Sequence, residues 1–322
     1  MSILKKSTRK LIGNKKPQLF YIFEEQPPSA IDCMSAVYDI FSHYPPARGR
    51  ANYCRTCASD EFVEIIVEAC KSPSKAPLSS FSGIYWEGPH CMGGISNIKF
   101  WLPRTVETYI LTPVDNGIFT SVVERYQSIG LSLWPFDEQE VLRLTFCRAL
   151  INFVESGNPA PLNGTLLTKS RNKCKELQQH ADIFTMIIGM LIYLRIEPKG
   201  IFAYLKAHQN ENIDFFLCRE ISDDFLSIDE EAYYDAETIN NNDNLKLLTK
   251  LLNRRARTAL FNAICIEDLF DKLDRYEKLG NTILCQYIEK ALQDYNSQKS
   301  NNEDLNEDDD SLLLHKLLDT AL

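Results

Sequence analysis

Glycine and proline are scarce in this chain, 13 and 14 among 322 residues, which excludes collagen-like and low-complexity architectures. No apolar run is long enough to cross a bilayer as a helix. The most hydrophobic stretch, Ile183 to Leu194, stops at Arg195. Met1 to Lys16 has no apolar core of the kind a secretory leader requires. Period-two alternation is nearly missing, so a sheet-based fold has little support. The Walker loop, GxGxxG, GxSxG and HExxH patterns are all absent, and with them the commonest signatures of nucleotide, esterase and metalloprotease chemistry. Excess basic charge is lacking too. A formal charge of −9 argues against a general nucleic-acid binder, whose affinity comes from neutralising phosphates.

What is present is a large apolar fraction, 44%, enough to bury a sizeable core as one large domain or two closely packed ones. Ten cysteines in a chain of this length do not form the framework of a small secreted scaffold. Six of them (Cys70, Cys147, Cys174, Cys218, Cys265 and Cys285) stand singly in helix-like segments, where a free thiol behaves as a small buried hydrophobe. A reducing cytoplasm is the expected location.

Apolar residues recur at three and four along most of the chain. Ser29 to His43 reads as a helix stopped by Pro45-Pro46, and Ser59 caps another with Phe62, Ile65, Ile66 and Ala69 as its apolar set. Pro103 is expected to limit how far a helix entering Trp101 to Ile110 can continue unbent. Ile118 to Leu133 and Phe136 to Glu155 follow, the latter with Leu142, Phe146, Ala149, Leu150 and Phe153 buried. Leu166 to Leu194 holds one or two helices, apolar almost all round towards the end and therefore central. Ile201 to His208, Glu211 to Arg219, Leu245 to Asn262, Ile266 to Tyr276 and Asn281 to Asn296 complete the series. The expectation is an all-α fold, an irregular multi-helix bundle or a solenoid-like helical stack, with no fixed repeat length. Its predicted organisation is a basic flexible arm (1–16), an N-terminal helical body (17–157), a C-terminal helical body (158–297), an acidic linker (298–310) and a short amphipathic helix (311–322).

Cys54-Arg55-Thr56-Cys57 is the most specific chemical signal. Two thiolates at this spacing on a turn can reach one tetrahedral Zn²⁺, and such pairs supply half of many structural sites. His90 and Cys91, in the loop Gly88-Pro89-His90-Cys91-Met92-Gly93-Gly94, are the candidates for the other half. Ligation of one ion by two adjacent residues is awkward, so His43 or Cys33 is the alternative fourth ligand. Without metal the same thiols would be packed, reduced cysteines. A thioredoxin-type redox pair is disfavoured, because no βαβ pattern surrounds the motif. Glu61, Glu64 and Glu68 read as a solvated face, and His180 and His208 as surface or packed histidines.

Two charge features bear on partners. Glu220 to Asp243 is acid-rich and has no base, and Lys246, Lys250 and Arg254 follow it on one helix face. An acidic neighbour competes with phosphate for that face, so nucleic acid is an unfavoured partner. The acid-rich segment Asn301 to Asp310 leads to a stripe of Leu313, Leu314, Leu317 and Leu318 that Ser311 can cap. An isolated helix this short is marginal in water, so the stripe is expected to dock on the protein's own body or in a partner groove.

One resemblance concerns residues 40–155. Tyr44-Pro45, the Cys54/Cys57 pair, Asp60-Glu61, Trp101-Leu102-Pro103-Arg104 with Glu107, and Trp134-Pro135 with Glu138 follow one another in an order that resembles a group of uncharacterised bacterial proteins. This chain departs from the pattern by a shorter segment between Ser80 and Gly94, and by tryptophan where the group more often has phenylalanine before Leu-Pro-Arg. The resemblance implies a bacterial cytoplasmic origin and no particular activity. The lack of a catalytic constellation, the acidic balance and the C-terminal leucine stripe make the expected function a non-catalytic protein-interaction role of the accessory or immunity type. The alternatives are a metal-dependent enzyme using Cys54 and Cys57, with Arg104 and Glu107 nearby, and a nucleic-acid-binding protein.

Overall fold

The structure is a computed structural model that describes residues 5–13, 15–16, 18, 20–85, 87, 89–111, 135–156, 172–223 and 242–303. Among the described residues the chain is all α. It forms α1 (Lys6–Ile12), α2 (Ala30–Phe41), α3 (Asp60–Ala69), α4 (Gly94–Leu111), α5 (Phe136–Ser156), α6 (Lys173–Tyr193), α7 (Pro198–Ala207), α8 (Glu211–Asp223), α9 (Asn242–Ala263), α10 (Ile266–Lys278) and α11 (Thr282–Glu303). Five short 3₁₀ turns lie between α2 and α4, and two isolated bridges, Tyr21 to Ile196 and Tyr53 to Met92, are the extended pairings.

Helix starts follow local chemistry. Side-chain oxygens at Ser29, Ser59 and Asn172 accept the orphan N–H groups of Asp32 (3.2 Å), Phe62 (3.1 Å) and Cys174 (3.0 Å). Asn210 does the same for Asn212 and Ile213 at the start of α8. Asp60 and Glu61 then sit in the first turn of α3, where carboxylates favour the positive end of the dipole.

Packing separates the helices into neighbourhoods. α2 lies against α4 and α5, with α1 beside α2 and α5. α8 packs on α6 and α11, α10 on α11, and α9 on α7, while α5 meets α6. A continuous apolar cluster runs from Ile12 and Val37 through Phe146 and Phe184 to Phe216, Leu284 and Ile288. Within it, Ile183 to Leu194 is buried nearly all round, as its sequence predicts.

α4 runs from Gly94 to Leu111 with Pro103 inside it, where Pro103 has no N–H to offer the Lys99 carbonyl. Two local expectations change. α3 buries Val63 and Ile66, whereas Ile65 is 44% exposed. The floor beneath α3 therefore meets the face one residue round from the predicted stripe. Of the six lone cysteines, Cys70, Cys147 and Cys218 are buried, but Cys174 and Cys285 are half-buried and exposed Cys265 occupies the N-cap of α10.

The basic N-terminal stretch supplies α1, with Thr8 and Ile12 buried. Beyond it Lys15 reaches the buried carboxylate of Glu140 at 2.7 Å. The first turns of α5 explain this contact. Glu138, Gln139, Glu140 and Arg143 are all buried, so each needs a partner. Glu138 receives Lys99 at 2.6 Å and the Tyr44 hydroxyl. Arg143 donates to Glu140 (2.9 Å) and to the Leu194 carbonyl (3.2 Å), with its guanidinium over the Tyr21 ring. Asp214 on α8 is equally enclosed and accepts from Lys272 (2.5 Å), Arg275 and Tyr276 (2.7 Å) of α10.

The predicted helix Ile118 to Leu133, the boundary between the two helical bodies at 157/158, most of the acidic run before α9 and the leucine tail lie outside the described residues.

Removing one partner of the Lys99–Glu138 pair should cost more than removing both. Lys99→Met is expected to lower unfolding free energy by about 3–5 kcal/mol by leaving a buried carboxylate uncompensated. Adding Glu138→Leu should recover a large part of that loss, measurable as the shift in denaturant midpoint across the double-mutant cycle.

Candidate metal centre

The loop region between α2 and α4 has little regular structure, so its shape must come from side chains and main-chain pairings. Tyr53 and Met92 form an antiparallel bridge, and the Cys54 N–H donates to the Cys91 carbonyl at 2.9 Å. These contacts lay the CxxC turn against the turn that ends at Cys91. The Ala58 N–H returns to the Cys54 carbonyl at 3.0 Å and closes the motif as a single tight turn.

Two residues clamp this arrangement. Arg50 donates to the carbonyls of Tyr53 (3.0 Å) and Ala58 (2.9 Å), and its Nε to the Asp60 carboxylate (2.5 Å). It therefore holds the CxxC turn at both ends and against the start of α3. Asn97, fully buried on α4, accepts from the Ala47 N–H (3.0 Å) and donates to the Met92 carbonyl (2.9 Å) and the Tyr53 hydroxyl (3.3 Å). Tyr53 in turn donates to the Ala47 carbonyl at 2.9 Å. Neither Arg50 nor Asn97 carries a motif that would announce this role, because their acceptors are carbonyls brought together only by folding.

Gly93 has φ +84°, and a Cβ there would lie 2.5 Å from the Ala47 Cβ and 2.9 Å from the Asn97 Nδ2. Only glycine fits that backbone and that space. The run Met92-Gly93-Gly94 thus turns the chain from the cysteine loop into α4.

The result is a group of three sulfurs. Cys54, Cys57 and Cys91 have ligand atoms all within 4.8 Å of one another, and the Cys57 and Cys91 sulfurs are 3.5 Å apart. This cluster could bind a metal. Two sulfurs bound to one tetrahedral zinc at about 2.3 Å each would lie about 3.8 Å apart, so the observed spacing suits a shared ion with little movement. Cys91 is buried, whereas Cys54 and Cys57 are half-buried.

Of the four residues predicted as ligands, the structure brings together Cys54, Cys57 and Cys91. The side chain of His90 is exposed and stands outside this group of ligand atoms. His43 and Cys33, the alternative fourth ligands, are engaged elsewhere. His43 Nδ1 lies 2.7 Å from the Ile40 carbonyl and its ring packs on Tyr44 at 4.0 Å. Cys33 is buried on α2, its thiol directed to the Pro28 carbonyl, and burial pushes it up to about 12.

The three thiols differ in acidity. Backbone N–H groups of Cys57 and Thr56 point at the Cys54 sulfur and, with the Cys57 thiol, hold it down at about 7. Cys57 is pushed up to about 12, first by its hydrogen bonds to the Cys91 and Cys54 sulfurs. Burial raises Cys91. A divalent ion would supply the positive charge needed to deprotonate the last two.

Other candidate groups have structural occupations. Arg104 donates to the Ala76 carbonyl (2.9 Å) and pairs with Glu107 (2.9 Å), which also accepts from Tyr38 (2.5 Å). Glu61, Glu64 and Glu68 face solvent on α3. His180 is buried, stacks on Phe153 and lies 2.8 Å from the Glu176 carbonyl. On α9, Arg255 pairs with Glu197 (2.6 Å) and Arg257 bonds Gln298 (2.8 Å). The Lys246 side chain lies outside the described residues, and Lys250 is exposed. Among the described residues no helix is long and apolar enough to cross a membrane. Comparison with protein-family models, with curated proteins and with solved structures finds no match.

In metal-free protein, Cys54 should be the first of the three to be alkylated. Its rate of reaction with iodoacetamide should rise as the thiolate forms and reach half its plateau near pH 7. Peptide mass mapping across pH 5.5–9 checks both order and midpoint. Gly93→Ala should lower the melting temperature by several degrees, consistent with a cost of roughly 1–3 kcal/mol for forcing a side chain into this backbone.

Proposed function

We propose that this chain is a non-catalytic interaction protein of the accessory or immunity type, whose loop region is stapled by a structural zinc ion on Cys54, Cys57 and Cys91. The observation that carries the metal reading is the convergence of three sulfurs within 4.8 Å from two segments far apart in sequence. A role in structure is supported by the surroundings. The region between α2 and α4 has only short 3₁₀ turns and α3 as regular elements, and such a segment gains most from a cross-link that ties its two ends. Ten cysteines without a disulfide among the described residues are compatible with a reducing compartment.

The enzyme alternative has less behind it. Arg104 and Glu107, the polar groups it would recruit, form a paired strut with Tyr38 and Ala76. For nucleic acid, the acid-rich segment before Lys246, Lys250 and Arg254 competes with phosphate for that face, and the net charge of −9 opposes phosphate binding. The interaction reading draws on sequence: the acid-rich segment Asn301 to Asp310 begins in the last turn of α11, and the leucine stripe Leu313, Leu314, Leu317 and Leu318 follows it. That stripe has the spacing of a helix-in-groove ligand.

Protein purified without a histidine tag should contain close to one zinc per chain, lost in the Cys54→Ser/Cys57→Ser double variant together with several degrees of melting temperature. Metal-free wild-type protein with the same melting temperature as the variant would reduce the thiols to packing. Deleting Ser311–Leu322 should leave the melting temperature unchanged and abolish recovery of a partner retained by the full chain. A large fall in stability would instead place the tail on this protein's own body.

A further inference from the structure

The three-sulfur site is one ligand short of a tetrahedron, and its immediate surroundings indicate where the fourth comes from. Among the described residues no His, Cys, Asp or Glu joins Cys54, Cys57 and Cys91 within 4.8 Å. Four alternatives each face a physical obstacle. His90 is the chain neighbour of Cys91, an awkward position for a second bond to the same ion, and its exposed side chain stands outside the group of ligand atoms. Glu87 is close enough for its charge to bear on Cys91 but is exposed and outside the group. His43 is held at the Ile40 carbonyl and against Tyr44, and Cys33 is enclosed beside Pro28.

The site also has a closed side and an open one. Cys91 is buried, and the bridge between Tyr53 and Met92 closes the main chain behind it. Cys54 and Cys57 are only half-buried and belong to a turn at the surface. An ion bound by the three sulfurs would be held from the protein side, with its remaining coordination position on the solvent side. Zinc sites held by four protein ligands are closed, whereas three protein ligands leave a position for an exchangeable group.

Granting the metal reading above, we propose that the ion on Cys54, Cys57 and Cys91 keeps its fourth position open and takes an external monodentate sulfur or nitrogen donor there. Water fills the position otherwise. The ligand class follows from the three thiolates: they make a soft site, which thiolate or imidazole completes better than carboxylate. On an interaction protein this position is a docking point at which a cysteine or histidine side chain of a partner would finish the tetrahedron. Formation of the fourth bond needs no redox change. A thiol gives up its proton to solvent and displaces the water, whereas neutral imidazole simply exchanges with it.

Cobalt(II) tests this directly, because its visible spectrum reports both the number and the type of its ligands. The full-length protein is loaded with Co²⁺ in the presence of a phosphine reductant, then titrated separately with 2-mercaptoethanol and with imidazole. Saturable changes in the d–d bands are expected, with a strengthened sulfur-to-cobalt charge-transfer band for the thiol. The starting spectrum should be the same in His90→Ala and Glu87→Gln. A tetrahedral spectrum unmoved by either ligand, or one altered by His90→Ala or Glu87→Gln, would overturn the open position and assign the fourth ligand to the chain. Absence of any thiolate-to-cobalt absorption would instead overturn the metal site itself, and the two failures are thereby distinguished.

Discussion

The desolvation of charge on the first turns of α5 is the constraint on which the architecture depends. Glu138, Glu140 and Arg143 are nearly inaccessible, and an ion out of water is tolerable only when paired and hydrogen-bonded. Each therefore summons a distant element. Glu138 draws in Lys99 of α4 and Tyr44 from the end of the α2 loop. Glu140 draws in Lys15 beyond α1. Arg143 reaches the Leu194 carbonyl at the end of α6, and Arg195 answers through Gln139 at 2.9 Å. Arg195 adopts φ +66° to do so, a conformation that a non-glycine residue holds only when its surroundings compensate. Tyr21, stacked beneath Arg143 and bridged to Ile196, completes the junction.

The same constraint reaches the cysteines. Lys99 pins α4 against α5, and Asn97, two residues earlier on that helix, fixes the backbone at Ala47, Tyr53 and Met92. The sulfur group is thus positioned by a rigid element rather than by a floppy loop. Such support favours a preformed site, in which binding an ion does not have to order the ligands first. Arg50 adds the local part, donating to carbonyls at both ends of the CxxC turn. Asp214 repeats the logic at the other end of the molecule, where one enclosed carboxylate ties α8 to α10.

Most histidines, arginines and carboxylates that could suggest chemistry are thereby accounted for as struts. Arg104 and Glu107 brace α4 against α2 and the Ala76 turn, and His180 is a stacked core residue. The sulfur cluster differs from them, because its three thiols lie close together and none is in a disulfide.

The sequence by itself determined the helical class, because apolar spacing of three and four is a local property that packing only has to accept. It also determined helix starts at Ser29 and Ser59, whose caps act within three residues, and the central place of Ile183–Leu194, whose composition leaves no polar face to expose. The CxxC half of the cysteine site was legible for the same reason: its geometry is contained in four residues. Tertiary structure alone decided the rest. Cys91 joins Cys54 and Cys57 through a bridge between segments more than thirty residues apart, and Arg50 and Asn97 serve carbonyls that no spacing rule connects to them. Which face α3 buries depended on the floor it met. The buried charges on α5 were the least legible of all. Nothing in the spacing of Glu138, Glu140 and Arg143 marks them for burial; only in the fold do Lys15, Lys99 and the end of α6 replace the water they lose.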